Sequence, residues 1–402
     1  MRDSAERFDV VVVGGGPAGA TAAADLAGRG HRVALLDRGG RIKPCGGAVP
    51  PQLLRDFDVP ASLLVDRIDT ARIRSPKGRA VDIPIRDGFV GMVDREVFDE
   101  WLRERAERQG AVRERGTFEG LERGADGDLR VHFARPGDGR RGDRASLRAR
   151  YVIGADGATS KVARAAIPGA ERMDGMVFAY HEIVESPVAA DVEAFLPGRA
   201  EVAYDDQLSP DFYGWVFPHG ATTSVGVGSA RSGFGMRDAV SLLRDRSGLS
   251  GCETIRREGA PIPMRVRPRW DNGRDVVVVG DAAGVVAPAS GEGIFYAMAS
   301  ARFGADAVSD ALATGRQAAL RSARRRFMRT HGQVFFALAM MQRFWYRDDD
   351  RRERFVAICG DPDVQRLTFD GYMNKRLVRS QPITHARIFL KNVGHLTGWV
   401  PA

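Results

Sequence analysis

Residues 8–19 read FDVVVVGGGPAG. Phe8 to Val13 are dominated by valine with no polar alternation, the pattern of a central parallel strand covered on both faces. Gly14, Gly16 and Gly19 follow with GxGxxG spacing. The first glycine permits a tight turn, the second lets the backbone approach a pyrophosphate, and the third lets a helix pack closely on the strand. Pro17, which has no N–H to leave unsatisfied, suits the first helical turn, with Ala18 beside it. An anion would sit over the free N–H groups there, favoured by the helix dipole. The alanine-rich run TAAADLAGRG leads to a second strand, His31 to Leu36, and then to Asp37, 23 positions after Gly14. A carboxylate at that place, with Arg38 next to it, can accept hydrogen bonds from the ribose of an adenosine. Strand, turn, helix, strand and acid in this order predict a dinucleotide-binding α/β unit.

The chain has 402 residues, 44% hydrophobic and 28% charged, enough for two or three domains and a large core. Its three cysteines, Cys45, Cys252 and Cys359, form neither a disulfide framework nor a metal-ligand spacing. No metal and a reducing compartment are therefore expected. The N-terminus reaches its first strand without a signal-peptide pattern, so a cytoplasmic protein is expected. No apolar run approaches the ~20 residues of a spanning helix. The net charge of +8 favours anionic lipid surfaces, diphosphates or nucleic acid. The arginines are scattered among acids and no nucleic-acid motif is present, so a solvated basic surface is expected and no nucleic-acid partner.

After Asp37, RGGRIKPCGGAVPPQLL is a loop crowded with glycine and proline, and a long loop in a compact domain is usually functional. ARIRSPKGRAVDIPI predicts antiparallel strands. VDREVFDEWLRERAERQG predicts a helix with Val97, Trp101, Leu102 and Ala106 inward. Residues 111–150 read as a β-meander with an arginine-rich hairpin at PGDGRRGD, and YVIGADGATSKVAR as another buried strand ending in a turn. Residues 171–269 are mostly strands, RDVVVVGDAAG returns to the nucleotide unit, and the rest reads as helical. The expected organisation is a discontinuous cofactor domain (7–60, 95–170, 270–325), a substrate-binding β-sheet domain (61–94, 171–269) and a helical region (326–402).

Together these separated motifs resemble, over roughly residues 7–325, the flavoproteins with a glutathione-reductase-like FAD domain in the topology of the aromatic hydroxylases. The resemblance implies that Arg95 in DREVFDEWL lies near FAD, and that Asp156 of the ADG motif and Asp281 of the GD motif help to bind it. Asp281 would serve the ribityl chain or a pyrophosphate-linked water; Asp156 suits a cap for the next turn equally well. Gly291, Gly293 and Ile294 match the segment whose helix N-terminus faces the flavin pyrimidine and favours the negative charge of the reduced ring. Within this group, KPCGGAVP (43–50), YGWVFP (213–218) and GDAAGVVAPASGEGI (280–294) resemble the geranylgeranyl reductases. The similarity extends most closely to those acting on geranylgeranyl diphosphate and geranylgeranyl (bacterio)chlorophyll. TFDGYMNKR near the C-terminus resembles the photosynthetic branch. Asp37 departs from the pattern, since a glutamate is more usual there.

This resemblance implies reduction of isolated C=C bonds to give a phytyl chain, by flavin hydride transfer coupled to protonation of the other carbon. Cys45, Gly46, Gly47 and Ala48 would lie beside the isoalloxazine. Tyr213, Trp215 and Phe217 alternate along a strand, so they share one face; the resemblance makes that face a wall of the prenyl cavity, with Tyr180 a further candidate. Cys45 can donate the proton or pack as a small apolar group, and His181 and His219 are alternative acids. No second GxGxxG is present, so NADPH in a groove without a motif is the expected donor and ferredoxin the other option. The substrate is a prenyl diphosphate or a prenylated chlorin. FFALAMMQRFWYR (335–347) suits peripheral attachment to a photosynthetic membrane or a helical cap on the core. The competing readings are an FAD monooxygenase of an aromatic or polyene compound and a flavin-free prenyl-binding escort protein.

Overall fold

The computed structural model of the chain describes residues 6–40, 43–85, 88–137, 142–171, 173–187, 194–366 and Lys375. The strand Arg7–Val13 runs between Val33–Asp37 and Arg144–Gly154, parallel to both. Val10, Val11 and Val12 are fully buried, as an apolar run covered on both faces requires. Arg144–Gly154 splits its other edge: its first half pairs antiparallel with Leu129–Ala134, its second half parallel with Val276–Val278. The run that reads RDVVVVGD thus returns to the middle of the first sheet.

The expected meander over 111–150 needs correction. Val112–Arg115 pairs parallel with Val33–Asp37, because the helix Arg95–Arg108 supplies the crossover that parallel neighbours need. Only Thr117–Arg123, Leu129–Ala134 and Arg144–Gly154 run antiparallel, and residues 138–141 of the hairpin lie outside the described residues. The inner face of the helix also differs from expectation. Arg95, Phe98, Asp99, Leu102 and Ala106 are buried, whereas Val97 is 53% exposed. Phe98 and Leu102 set the register, and an internal ion pair lets Arg95 and Asp99 turn inward with them.

The second sheet has the order Thr254–Pro263, Met176–Glu185, Thr222–Ser229, Gly214–His219, Arg199–Ala203, Thr70–Arg74, Ala80–Pro84. A small third sheet joins Ala48–Val49, Val90–Val93 and Leu64–Ile68, so it straddles the expected boundary between cofactor and substrate domains. The helix Ser322–Trp345 packs on the helix Ile294–Thr314, and its end, with the helix Asp349–Cys359, covers one face of the second sheet, where Trp345, Tyr346, Phe355 and Val356 meet Ile73, Val81 and Val202. Of the segment TFDGYMNKR only Lys375 is among the described residues.

Candidate cofactor and substrate site

The glycine turn is built as its spacing demands. Gly14 has φ 107°, and a Cβ on it would stand 2.4 Å from the Ala155 carbonyl oxygen. A Cβ on Gly19 would meet the Gly14 carbonyl oxygen at 1.7 Å, so helix and strand touch through backbone. Gly16 has nothing within 4 Å of such an atom, because it faces an open cleft. The helix Pro17–Ala27 has no side-chain cap and no acid in its first turn, leaving its N-terminal N–H groups and dipole for an anion. Asp37 is fixed by Gly15 N–H and Gly39 N–H, each donating at 3.2 Å to its carboxylate. Arg103, which the sequence reading missed, stands 3.8 Å from that carboxylate.

A cavity of about 390 Å³ runs from this turn past Asp37 and Arg38 to Asp156 and Asp281. An acid at one end, an open glycine cradle in the middle and a second acid beyond it fit an extended dinucleotide such as FAD. Asp156 shapes the wall rather than offering a free carboxylate. It accepts hydrogen bonds from Ser160 Oγ (2.5 Å), Lys161 N (2.6 Å) and Val162 N (3.1 Å), and burial pushes its pKa up.

A second cavity of about 170 Å³ shares Pro17, Lys43, Asp281 and Ala297 with the first, making one continuous cleft. One side is the loop from Lys43 to Ala48, with Lys43 paired to Asp281. Cys45 Sγ accepts the Gly47 N–H at 3.4 Å. Arg95 is buried and makes two bonds to Asp99, at 2.8 and 2.7 Å. Burial, the largest influence, opposes its charge; the Asp99 carboxylate outweighs it and the pKa is raised. The double glycine is needed because the loop crosses the aromatic strand backbone-first. A Cβ on Gly46 would come within 2.9 Å of the Phe217 ring.

Tyr213, Trp215 and Phe217 also line this cavity, with Gly291, Gly293 and Ile294 at the start of the helix Ile294–Thr314. Trp215 donates from Nε1 to Ser224 Oγ at 3.1 Å. Its indole lies on Gly226, where a Cβ would stand 2.2 Å from the ring. Tyr213 donates from its hydroxyl to the Ser290 carbonyl at 2.5 Å, and burial, first of all, raises its pKa. Tyr180 does not join this wall, which corrects the expectation. It packs on the other face of its sheet and donates to Glu182 Oε1 at 3.0 Å. Alternation instead puts Ala179 and His181 in the cavity. His181 contacts Ser224 Oγ through Nδ1 at 3.0 Å and places Nε2 3.2 Å from Glu258. Glu292 also lines the cavity; its motif was read for its glycines and not for this acid.

The model of the pyridine nucleotide-disulphide oxidoreductase family matches residues 8–193, and that of the lycopene cyclase protein family matches residues 235–386. A geranylgeranyl diphosphate reductase from Rhodobacter capsulatus is 54% identical over 395 residues, spanning 98% of this chain and 99% of its own. The chain belongs to the geranylgeranyl diphosphate reductase family. A member from Synechocystis is 37% identical and covers 96% of this chain and 97% of its own. The solved structure of a geranylgeranyl bacteriochlorophyll reductase-like protein from Thermoplasma acidophilum superposes with a TM-score of 0.80 at 20% identity, covering 94% of this chain and 99% of that one. That likeness is one of fold, and it agrees with the FAD-binding α/β architecture, inserted β-sheet and C-terminal helices expected from the sequence.

Proposed function

We propose that this geranylgeranyl reductase family member saturates isolated C=C bonds of a geranylgeranyl chain to the phytyl state in pigment biosynthesis, on geranylgeranyl diphosphate or on a geranylgeranylated (bacterio)chlorophyll. One observation carries the reading. The aromatic wall of Tyr213, Trp215 and Phe217 faces the Cys45 loop in a cavity that opens directly into the dinucleotide cleft. Bound there and reduced, FAD supplies the hydride. Gly14, Gly16, Pro17, Ala18, Gly19, Asp37, Arg38, Arg95 and Asp281 would hold it, with Gly46, Gly47 and Ala48 giving room for its ring. The helix that starts at Ile294 has no side-chain cap, so its N–H groups favour negative charge on a reduced ring. The aromatic rings exclude water and present π faces to positive charge building on a trisubstituted carbon. Cys45 is a candidate donor of the proton to that carbon's neighbour.

NADPH is the electron donor in this reading, with a ferredoxin as the alternative. Among the described residues no helix is long and apolar enough to cross a membrane. The helix Ser322–Trp345 nevertheless carries Phe336, 70% exposed, and Met340, 49% exposed, on a stripe with the exposed Arg329 and Arg343. That composition suits contact with an anionic membrane surface holding a pigment substrate. The test is anaerobic: protein with reduced FAD is mixed with geranylgeranyl diphosphate or a geranylgeranylated chlorin, and flavin reoxidation and product mass are read. A gain of two hydrogens per bond supports the reductase. Reoxidation that requires oxygen, with a product gaining an oxygen atom, makes it a monooxygenase. Protein that binds the prenyl chain and no flavin makes it an escort.

A further inference from the structure

The cavity wall contains a buried ion pair that the reaction described above does not use. Glu292 and Lys375, 83 positions apart, meet at 2.5 Å through Oε2 and Nζ, with side chains only 6% and 2% exposed. The other carboxylate oxygen, Oε1, is buried without a hydrogen-bond partner. Such an atom is expensive in an apolar site unless a proton or a donor meets it. An alkene has no donor to offer.

We propose that Glu292 and Lys375 are the proton-donating pair of this pocket, Glu292 passing its carboxyl proton to the alkene carbon that does not take the hydride; the inference rests on the reductase reading. Lys375–NH3+ with Glu292–COO−, and Lys375–NH2 with Glu292–COOH, differ by one proton, which crosses the 2.5 Å contact onto Oε2; a half-turn of the carboxyl group then carries that O–H to the unpartnered side. In the second form the carboxyl O–H bond breaks as the alkene π pair forms the new C–H bond, and the neighbouring carbon is completed by the hydride of the proposed reaction. The pair is left one proton short, as Glu292–COO− with Lys375–NH2, and regains it from water when product leaves.

The surroundings favour this use. Burial lowers the Lys375 pKa against the pull of Glu292, so the pair yields a proton more readily than a solvated lysine. The ammonium is cradled by Phe295 and Tyr296, with Nζ 5.6 and 5.9 Å from the ring centroids. Burial holds the Tyr296 hydroxyl well above its ordinary pKa, with Glu292 adding to the effect. Tyr213 donates its proton to Ser290, Lys43 is bound to Asp281, and Arg95 to Asp99. His181 is held between Ser224 and Glu258. Cys45 is the rival donor in the same cavity.

The experiment is the anaerobic single turnover with geranylgeranyl diphosphate across pH, for wild type, Glu292→Gln, Lys375→Arg, Cys45→Ala and the double variant Glu292→Gln/Lys375→Met. The double variant removes both charges together and so guards against unfolding. Substrate binding is read separately by tryptophan quenching, and the resting protein's carboxyl infrared band is read in Lys375→Met with and without Glu292→Gln. We expect Glu292→Gln and the double variant to bind substrate within about twofold of wild type and to lose about 100-fold or more in the chemical step. Lys375→Arg, which keeps the charge and holds its proton, is expected to be slow and flat with pH. Wild type is expected to slow as pH rises through the titration of Lys375, whose pKa burial lowers. Lys375→Met should gain a protonated-carboxyl band that Glu292→Gln removes. Wild-type rates in Lys375→Arg or Glu292→Gln, or a loss confined to Cys45→Ala, would reduce the pair to a structural contact. A wild type that saturates nothing would overturn the reductase reading instead.

Discussion

Gly47 is pressed against His219: a Cβ on Gly47 would stand 2.5 Å from the imidazole Nε2. The Cys45 loop is therefore held at the end of the aromatic strand by backbone contact, and Gly47 adopts φ 70° to make it. Gly47→Ala should cost about 1–3 kcal/mol from conformation and overlap together. Thermal unfolding and the fluorescence of released FAD should show lower stability and weaker cofactor retention. Adding His219→Ala should restore only part of the loss, because the Val93 carbonyl oxygen also lies 2.7 Å from the added atom.

His219 also gives the protein an acid sensitivity. Burial, the largest influence, lowers its pKa, and its Nδ1–H donates to the Phe217 carbonyl at 2.9 Å. The unfolded chain takes up this proton near pH 6.5 and the folded chain only at lower pH. The contribution to stability is thus fully present above that value and is lost as pH falls through the folded pKa. Denaturation midpoints between pH 7.5 and pH 5 should fall less in His219→Asn than in wild type.

Arg95 and Asp99 are buried together, so removing one partner strands the other. Asp99→Ala should destabilise by about 3–5 kcal/mol, and Arg95→Met/Asp99→Leu should recover most of it. Urea unfolding checks both; equal losses in the single and the double variant would show that the pair's charges do not govern stability here.

Gly226 leaves the space that the Trp215 indole occupies. Gly226→Ala, with its new atom 2.2 Å from that ring, should displace the indole into the pocket. A shifted tryptophan emission and a KM for the prenyl substrate raised about tenfold are expected, with FAD affinity unchanged.

The parts of the site that were legible in the sequence are those in which local backbone dictates the residue. Gly14 is required by its positive φ and Gly19 by a contact within the turn itself, and Asp37 by the length of one β–α–β unit. Alternation alone puts Tyr213, Trp215 and Phe217 on one face. It also gives Tyr180 and His181 opposite faces, yet which of the two meets Trp215 depends on register. His181 and Trp215 both lie opposite Gly226, and no local pattern states that pairing. Val97 misled for a similar reason, since an arginine and an aspartate four residues apart look like a solvated face until each buries the other. Glu292 and Lys375 carry no local signal at all, because each depends on a residue in a distant segment.

The pairing of Val276–Val278 with Val152–Gly154 sets an order in time. During synthesis the glycine turn and Asp37 emerge early, and the nascent chain then exposes one flank of Arg144–Gly154 while five of the seven strands of the second sheet are made. Asp281 follows just after the strand that covers that flank. Cofactor capture therefore belongs to a late stage of biogenesis, and a chain stalled within the second sheet carries a recognisable phosphate turn with an open, aggregation-prone strand beside it.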